Sequence, residues 1–177
     1  MKILLSSAEI ENAIIAAMRN YSKFYWTVAW AGIGSKSFEE LLENRAKIEK
    51  MVIGTHFYQT NPNFIAQFID DEKVKFKQQT SGIFHPKLYL FANSPRDWLL
   101  IVGSANFTKS AFENNTEVAT LILSSETDKR REYEKIMNFI NEQWADFHHF
   151  TIELLDKYRI IWKTQQNKIS SLSGLSI

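Results

Sequence analysis

"HPKLYLFANSPRDWLLIVGSAN", residues 85 to 106, contains two apolar runs joined by a turn signal, with polar side chains at both outer ends. The run from His85 to Phe91 reads as a strand, "NSPR" as the turn, and "DWLLIVG", residues 97 to 103, as a second strand. Alternate side chains of a strand share a face, so His85, Lys87 and Tyr89 point one way and Leu88 and Leu90 the other. Pro86 removes a donor and stiffens the entry to the first strand. Gly103 permits close backbone approach, and Ser104 and Asn106 place a hydroxyl and an amide just past the second strand. A further run, "TEVATLIL" at 116 to 123, brings Glu117 to the start of another strand.

Elements on either side define the class. Ile10, Ala13, Ile14, Ala17 and Met18 recur at helical spacing from Ser7 to Asn20, with Ser7 as N-cap. "FYWTVAWAGIG", 24 to 34, is a buried strand ending in a turn, and Ser35 opens a second helix. "KIEKMVIG" is a strand ending at Gly54, and "NPNFIAQFID" is a helix with Pro62 in its first turn. "KVKFK" alternates as a strand, with Lys73, Lys75 and Lys77 on one face. Glu126 to Trp144 forms a long amphipathic helix, and a second helical segment runs to about Trp162. The expected fold is α/β: a mixed β-sheet flanked by helices on both faces. The expected domain spans residues 1–165, with residues 166–177 a polar tail or a linker to a further domain or subunit.

Composition narrows the function classes. The 177 residues are 45% apolar and 14% aromatic, which marks a globular chain with a real core. The formal net charge of +1 leaves no global electrostatic footprint, although a local basic groove is compatible with it. There is no cysteine, so disulfides and thiolate metal sites are excluded. No apolar run approaches a membrane span, and the short N-terminal run is followed at once by Glu9 and Glu11. A cytoplasmic, membrane-free setting is expected.

His85, Lys87, Ser104, Asn106 and Glu117 thus gather at the ends of strands close in sequence. The set suits phosphodiester chemistry. His85 serves as nucleophile or proton donor, and Lys87 and Asn106 stabilise the negative oxygens of a five-coordinate phosphorus. Glu117 is placed to accept from the other imidazole nitrogen, fixing the tautomer and favouring the imidazolium. Read alone, "HPK" is only a polar strand end facing solvent; the second motif and Glu117 give it chemical meaning.

These residues resemble the phospholipase D superfamily, which carries histidine-x-lysine on one strand and glycine-serine-x-asparagine on the next. Here they are "HPK" at 85–87 and "GSAN" at 103–106. "FT" after Asn106 and a glutamate eleven residues beyond it, Glu117, resemble the small nuclease branch that includes the metal-independent restriction endonucleases. The match covers roughly residues 83 to 122. The resemblance implies a nucleophile or acid at His85, phosphate binding at Lys87 and Asn106, a supporting hydroxyl at Ser104 and an orienting carboxylate at Glu117. One departure is Ala92, where many members carry an aspartate.

Superfamily enzymes use two such motifs and this chain has one. The resemblance therefore implies a homodimer that places two His85 side chains at a shared site on the two-fold axis. No metal or other cofactor is expected, since lysine and asparagine supply the charge stabilisation. The expected partner is DNA, with RNA open, and the expected activity is metal-independent endonucleolytic hydrolysis in a restriction or defence setting. Rival readings are a phospholipase or phosphatidyltransferase, and a non-catalytic, dimerising nucleic-acid-binding module of a larger protein.

Outside this set, Thr108 and Lys109 follow the second motif and are candidate backbone contacts. His56, Tyr58 and Gln59 lie in a loop that borders the same strand ends and are candidate nucleic-acid contacts. His148 and His149 are adjacent on a helical segment and diverge by roughly 100°, which argues against a metal pair. The five tryptophans read as core or dimer interface rather than stacking platforms.

Overall fold

The computed structural model describes residues 1–78, 82–145 and 150–173; His148 and His149 lie outside them. Its elements are β1 (Lys2–Leu4), α1 (Ser7–Asn20), β2 (Lys23–Val28), α2 (Lys36–Glu43), β3 (Ile48–Gly54), α3 (Pro62–Phe68) and β4 (Val74–Lys77). Then come β5 (Lys87–Ser94), β6 (Asp97–Gly103), α4 (Lys109–Glu113), β7 (Ala119–Leu123), α5 (Lys129–Ala145) and α6 (Ile152–Ser173). The strands form one sheet in the order β1-β7-β6-β5-β2-β3-β4. β2, β3 and β4 run parallel to one another, while β5, β6, β7 and β1 pair antiparallel. The sheet is mixed, as the alternation of helices and short turns predicts.

Strand periodicity divides the apolar residues between two faces. Trp26, Tyr89, Phe91 and Ile101 face the larger core beneath α1, α2, α3, α4 and α6. Leu90, Ala92, Trp98 and Leu100 face a smaller one capped by Tyr133, Ile136, Met137 and Ile140 of α5. Burying each large side chain contributes roughly 1.5–3 kcal/mol. Trp26 is the centre of the larger core, with Phe24, Tyr89, Phe91 and Phe107 rings around it. Ala92 lies wholly in the smaller core, on the face opposite Lys87. An aspartate there would be buried among apolar groups and would not reach the His85 side of the sheet.

Several boundaries move for local reasons. Ser6, not Ser7, caps α1, its Oγ accepting from Glu9 N–H at 3.2 Å. The Ser7 hydroxyl instead donates to the Asn115 carbonyl at 2.6 Å. β5 begins at Lys87 because Pro86 has no N–H for the ladder, though its carbonyl accepts from Ala29 N–H at 2.8 Å. β7 begins at Ala119 because Ser104 intrudes: Val118 N–H donates to Ser104 Oγ at 3.0 Å. β1 and α4 are short elements without a periodic signal of their own. α6 continues as helix to Ser173, through residues that read as polar tail. The β4 lysines face α5 and its surroundings: Lys75 sits 4.2 Å from the Trp144 ring centroid and Lys77 donates to Gln143 at 2.9 Å.

Candidate active site

The polar ends of β5, β6 and β7 meet at one edge of the larger core. Lys87 is the first residue of β5, opposite Val28 of β2, and is buried despite its charge. His85 lies two residues earlier and is exposed. The Lys87 ammonium lies 2.9 and 2.8 Å from the two ring nitrogens of His85 and donates to the His85 carbonyl at 3.1 Å. His85 precedes β5, so strand period sets the side of Lys87 only, and the lysine folds back on the imidazole.

Trp30 completes the pair, and nothing in the sequence motifs marked it. Its ring stands edge-on to His85 with centroids 5.0 Å apart, and Lys87 Nζ is 5.5 Å from its centroid. A cation over an indole face is attracted by the ring quadrupole. The position was legible in one respect: Trp30 follows the carboxyl end of β2, the strand paired with β5.

The 103–108 segment is clamped from three sides. A Cβ on Gly103 would lie 2.5 Å from Ala119 Cα and would clash with the Val118 carbonyl, so glycine is required there. The buried Tyr89 hydroxyl donates to the Ala105 carbonyl at 2.9 Å. Phe107 N–H donates to Trp30 O at 3.1 Å, and Gly32 N–H to Phe107 O at 2.8 Å. Asn106 is thereby fixed beside Trp30. Its Oδ1 is buried and has no partner among the described residues.

Glu117 is buried, and its oxygens are taken by two donors, Ser104 Oγ and, at 3.0 Å, Asn115 Nδ2. The expected hydrogen bond from the His85 imidazole to Glu117 is not made within the chain. The charge state of His85 also departs from expectation. Partial desolvation of the ring, and then the adjacent Lys87 ammonium, hold the imidazole below its usual range, favouring the neutral form. Burial pulls Lys87 down to about 8, opposed by the Glu117 carboxylate, which acts to raise it. Glu117 therefore acts on this site through Lys87 and Ser104. A neutral imidazole beside an ammonium is a nucleophile beside an anion-binding group.

The remaining candidates divide. Thr108 caps α4, accepting from Ala111 N–H at 3.3 Å, and Lys109 is exposed at its start, 3.8 Å from Glu113. Both border a cleft of about 360 Å³ together with Trp30, Gln59 and Asn106. His56 is not available for surface contact. It is buried, its ring stacks on Phe84, and its Nε2 accepts from Phe84 N–H at 3.5 Å. Burial and the Lys77 charge lower its affinity for a proton. Tyr58 packs on Tyr158 with ring centroids 5.1 Å apart. His56 and Tyr58 are thus packing residues behind the site, and Gln59 alone of the three reaches it.

Comparisons with known proteins bear on the family and the fold. Residues 55–144, just over half the chain, match the family described as cardiolipin synthase, PLD-like domain. No curated protein matches the chain in sequence. Among solved structures, the phospholipase D family member Nuc from Salmonella typhimurium superposes with a TM-score of 0.62 at 17% identity, covering 83% of this chain and 96% of that one. NucT from Helicobacter pylori gives 0.59 at 15%, covering 84% and 98%. Phosphatidylserine synthase from Haemophilus influenzae Rd KW20 gives 0.65 at 19%, covering 92% of this chain and 42% of that one. At these identities the likeness is one of fold.

Proposed function

Because the chain belongs to the family of the cardiolipin synthase, PLD-like domain, we propose that it is a phosphodiesterase that cleaves DNA through a covalent His85 intermediate. The observation that carries this reading is the His85–Lys87 contact at the strand mouth, in a fold shared with Nuc and NucT, which the chain covers almost end to end. A neutral His85 nitrogen attacks phosphorus. The bond from phosphorus to the leaving oxygen breaks, and that oxygen keeps the electron pair. Lys87 and the Asn106 amide hold the non-bridging oxygens as negative charge grows on them. Water then attacks phosphorus, giving a proton to the partner subunit's His85, which the first step left neutral; the phosphorus–nitrogen bond breaks and the neutral imidazole is released.

The leaving oxygen needs a proton, and a second copy of the chain would supply it from its own His85, held as imidazolium beside a Glu117 carboxylate that the dimer brings near. Ile83, Val102 and Val118 support such a contact: each is exposed, and each lies within two residues of a site residue. Their apolar surface is what a two-fold contact around the site would cover. In a dimer the Glu117 carboxylates would also lie near both imidazoles. The proposed reaction draws its charge stabilisation from Lys87 rather than from a metal.

A second reading, phosphatidyl transfer, has the family's name and the phosphatidylserine synthase fold behind it. One experiment separates the two. Single- and double-stranded DNA and phosphatidylglycerol vesicles are incubated with wild type and His85→Ala in excess EDTA. DNA cleavage that persists in EDTA and is lost in the variant supports the nuclease. Headgroup release or transfer without DNA cleavage would replace it with the lipid reading. Inactivity on both, with DNA still bound, would point to a binding module.

A further inference from the structure

The cleft beside Asn106 is lined in part by α6. Tyr158 anchors that helix, its hydroxyl donating to the Thr60 carbonyl at 2.8 Å. Trp162 and Gln166 follow at intervals of four residues and so share the Tyr158 face. Both line the cleft together with Trp30 and Asn106, and Gln59 and Asn61, also in its lining, flank the Thr60 anchor. The volume of about 360 Å³ is near the lower end of the roughly 300–1,000 Å³ typical of ligand sites.

Two polar atoms of this wall are withdrawn from water without a partner among the described residues: Trp30 Nε1, a donor, and Asn106 Oδ1, an acceptor. Buried groups of this kind are normally satisfied. A phosphodiester oxygen only accepts, so an occupant that satisfies both must bring a donor as well. No carboxylate lines the cleft, and its side-chain amides outnumber its large apolar groups. An acyl chain would find few partners there. A flat, amphipathic group with donors and acceptors on its edge fits two indoles and five amides.

We propose that this cleft is a nucleoside subsite, in which the base next to the scissile phosphate lies against Trp162 and is read by Gln59, Gln166 and Asn106. The base must leave a duplex stack to enter, so the favoured substrate is single-stranded. The inference rests on the phosphodiesterase reading for the neighbouring phosphate, but its test does not depend on turnover.

Binding of a fluorescein-labelled single-stranded oligonucleotide to His85→Ala protein is measured by anisotropy, alone and with Trp162→Ala, Trp162→Phe or Gln166→Ala added. Stacking on one aromatic ring is worth roughly 5- to 150-fold in affinity. Trp162→Ala should weaken binding by a factor in that range, Trp162→Phe should restore most of it, and an equal-length duplex should bind less tightly. Equal affinity for Trp162→Ala and its parent would overturn the subsite, as would binding to phosphatidylglycerol vesicles but not to oligonucleotide. DNA cleavage by wild type with unchanged KM in Trp162→Ala would sink the subsite and leave the nuclease standing. Trp162-dependent binding without cleavage of DNA by wild type would do the reverse.

Discussion

Lys87 is the group whose behaviour most directly tests the site. Its ammonium is withdrawn from water at the start of β5, and that burial lowers its pKa from 10.5 to about 8. Lowering favours the neutral amine, so phosphate affinity should be full below this value and lost as pH rises through it. With a midpoint of about 8, roughly 90% of the lysine is charged at pH 7 and roughly a tenth at pH 9. A ligand held mainly by this charge should therefore bind about tenfold more weakly at pH 9 than at pH 7. Dimethyl phosphate is suitable, because its own single charge does not change in this range. Its dissociation constant can be followed by ³¹P NMR titration, and the Lys87 Cε resonance by ¹³C NMR on the same samples. Desolvation and then the Lys87 charge lower the His85 pKa, so its imidazole favours the neutral form across this range, and the Cε resonance reports Lys87 alone. Lys87→Arg keeps its charge past pH 10 and should flatten the dependence. An affinity unchanged from pH 7 to 9, with the Cε midpoint near 10.5, would refute both the burial and the anion-binding role.

Glu117→Gln removes the carboxylate charge that supports the Lys87 ammonium, so the Lys87 midpoint should move lower still, and phosphate affinity and turnover at pH 8 should both fall; an unmoved midpoint would separate Glu117 from the site. Gly103→Ala drives a methyl group against the backbone of Val118 and Ala119, and should cost about 3 kcal/mol in urea denaturation, the upper end for overpacking. Gly32→Ala meets only ordinary contacts of 3.7–3.8 Å at Thr108, and its urea midpoint should stay close to wild type. Val118→Asp places a charge on the proposed two-fold contact; sedimentation should show monomer where wild type is dimeric, with activity lost in parallel. A wild type that sediments as monomer at micromolar concentration would remove the second His85.

Much of the fold could be read along the chain because it depends on period. Tyr89 and Leu90 take opposite faces of β5 as alternation requires, and the mixed sheet follows from parallel strands linked by helices and antiparallel strands linked by turns. The side of the sheet on which Lys87 lies was legible for the same reason, whereas His85 stands before the strand begins. So was the need for glycine at 103, although not which backbone it meets.

What period cannot supply is distance between segments far apart in the chain. Trp30 becomes a site residue only because backbone bonds to Phe107 and Pro86–Ala29 pairing bring its strand end to His85. The same kind of fact removes His56, buried on Phe84, and gives Glu117 to Ser104 and Asn115 rather than to the imidazole. Gln166 reads as part of a polar tail because its neighbours are polar. It faces the cleft because Tyr158, two turns earlier on α6, is anchored at Thr60. The sequence by itself determined the α/β class, the strand faces and the residue types at the strand ends. Hydrogen-bond partners, burial and the resulting charge states of His85 and Lys87 were decided only by tertiary packing, because each depends on groups that the local chain does not contain.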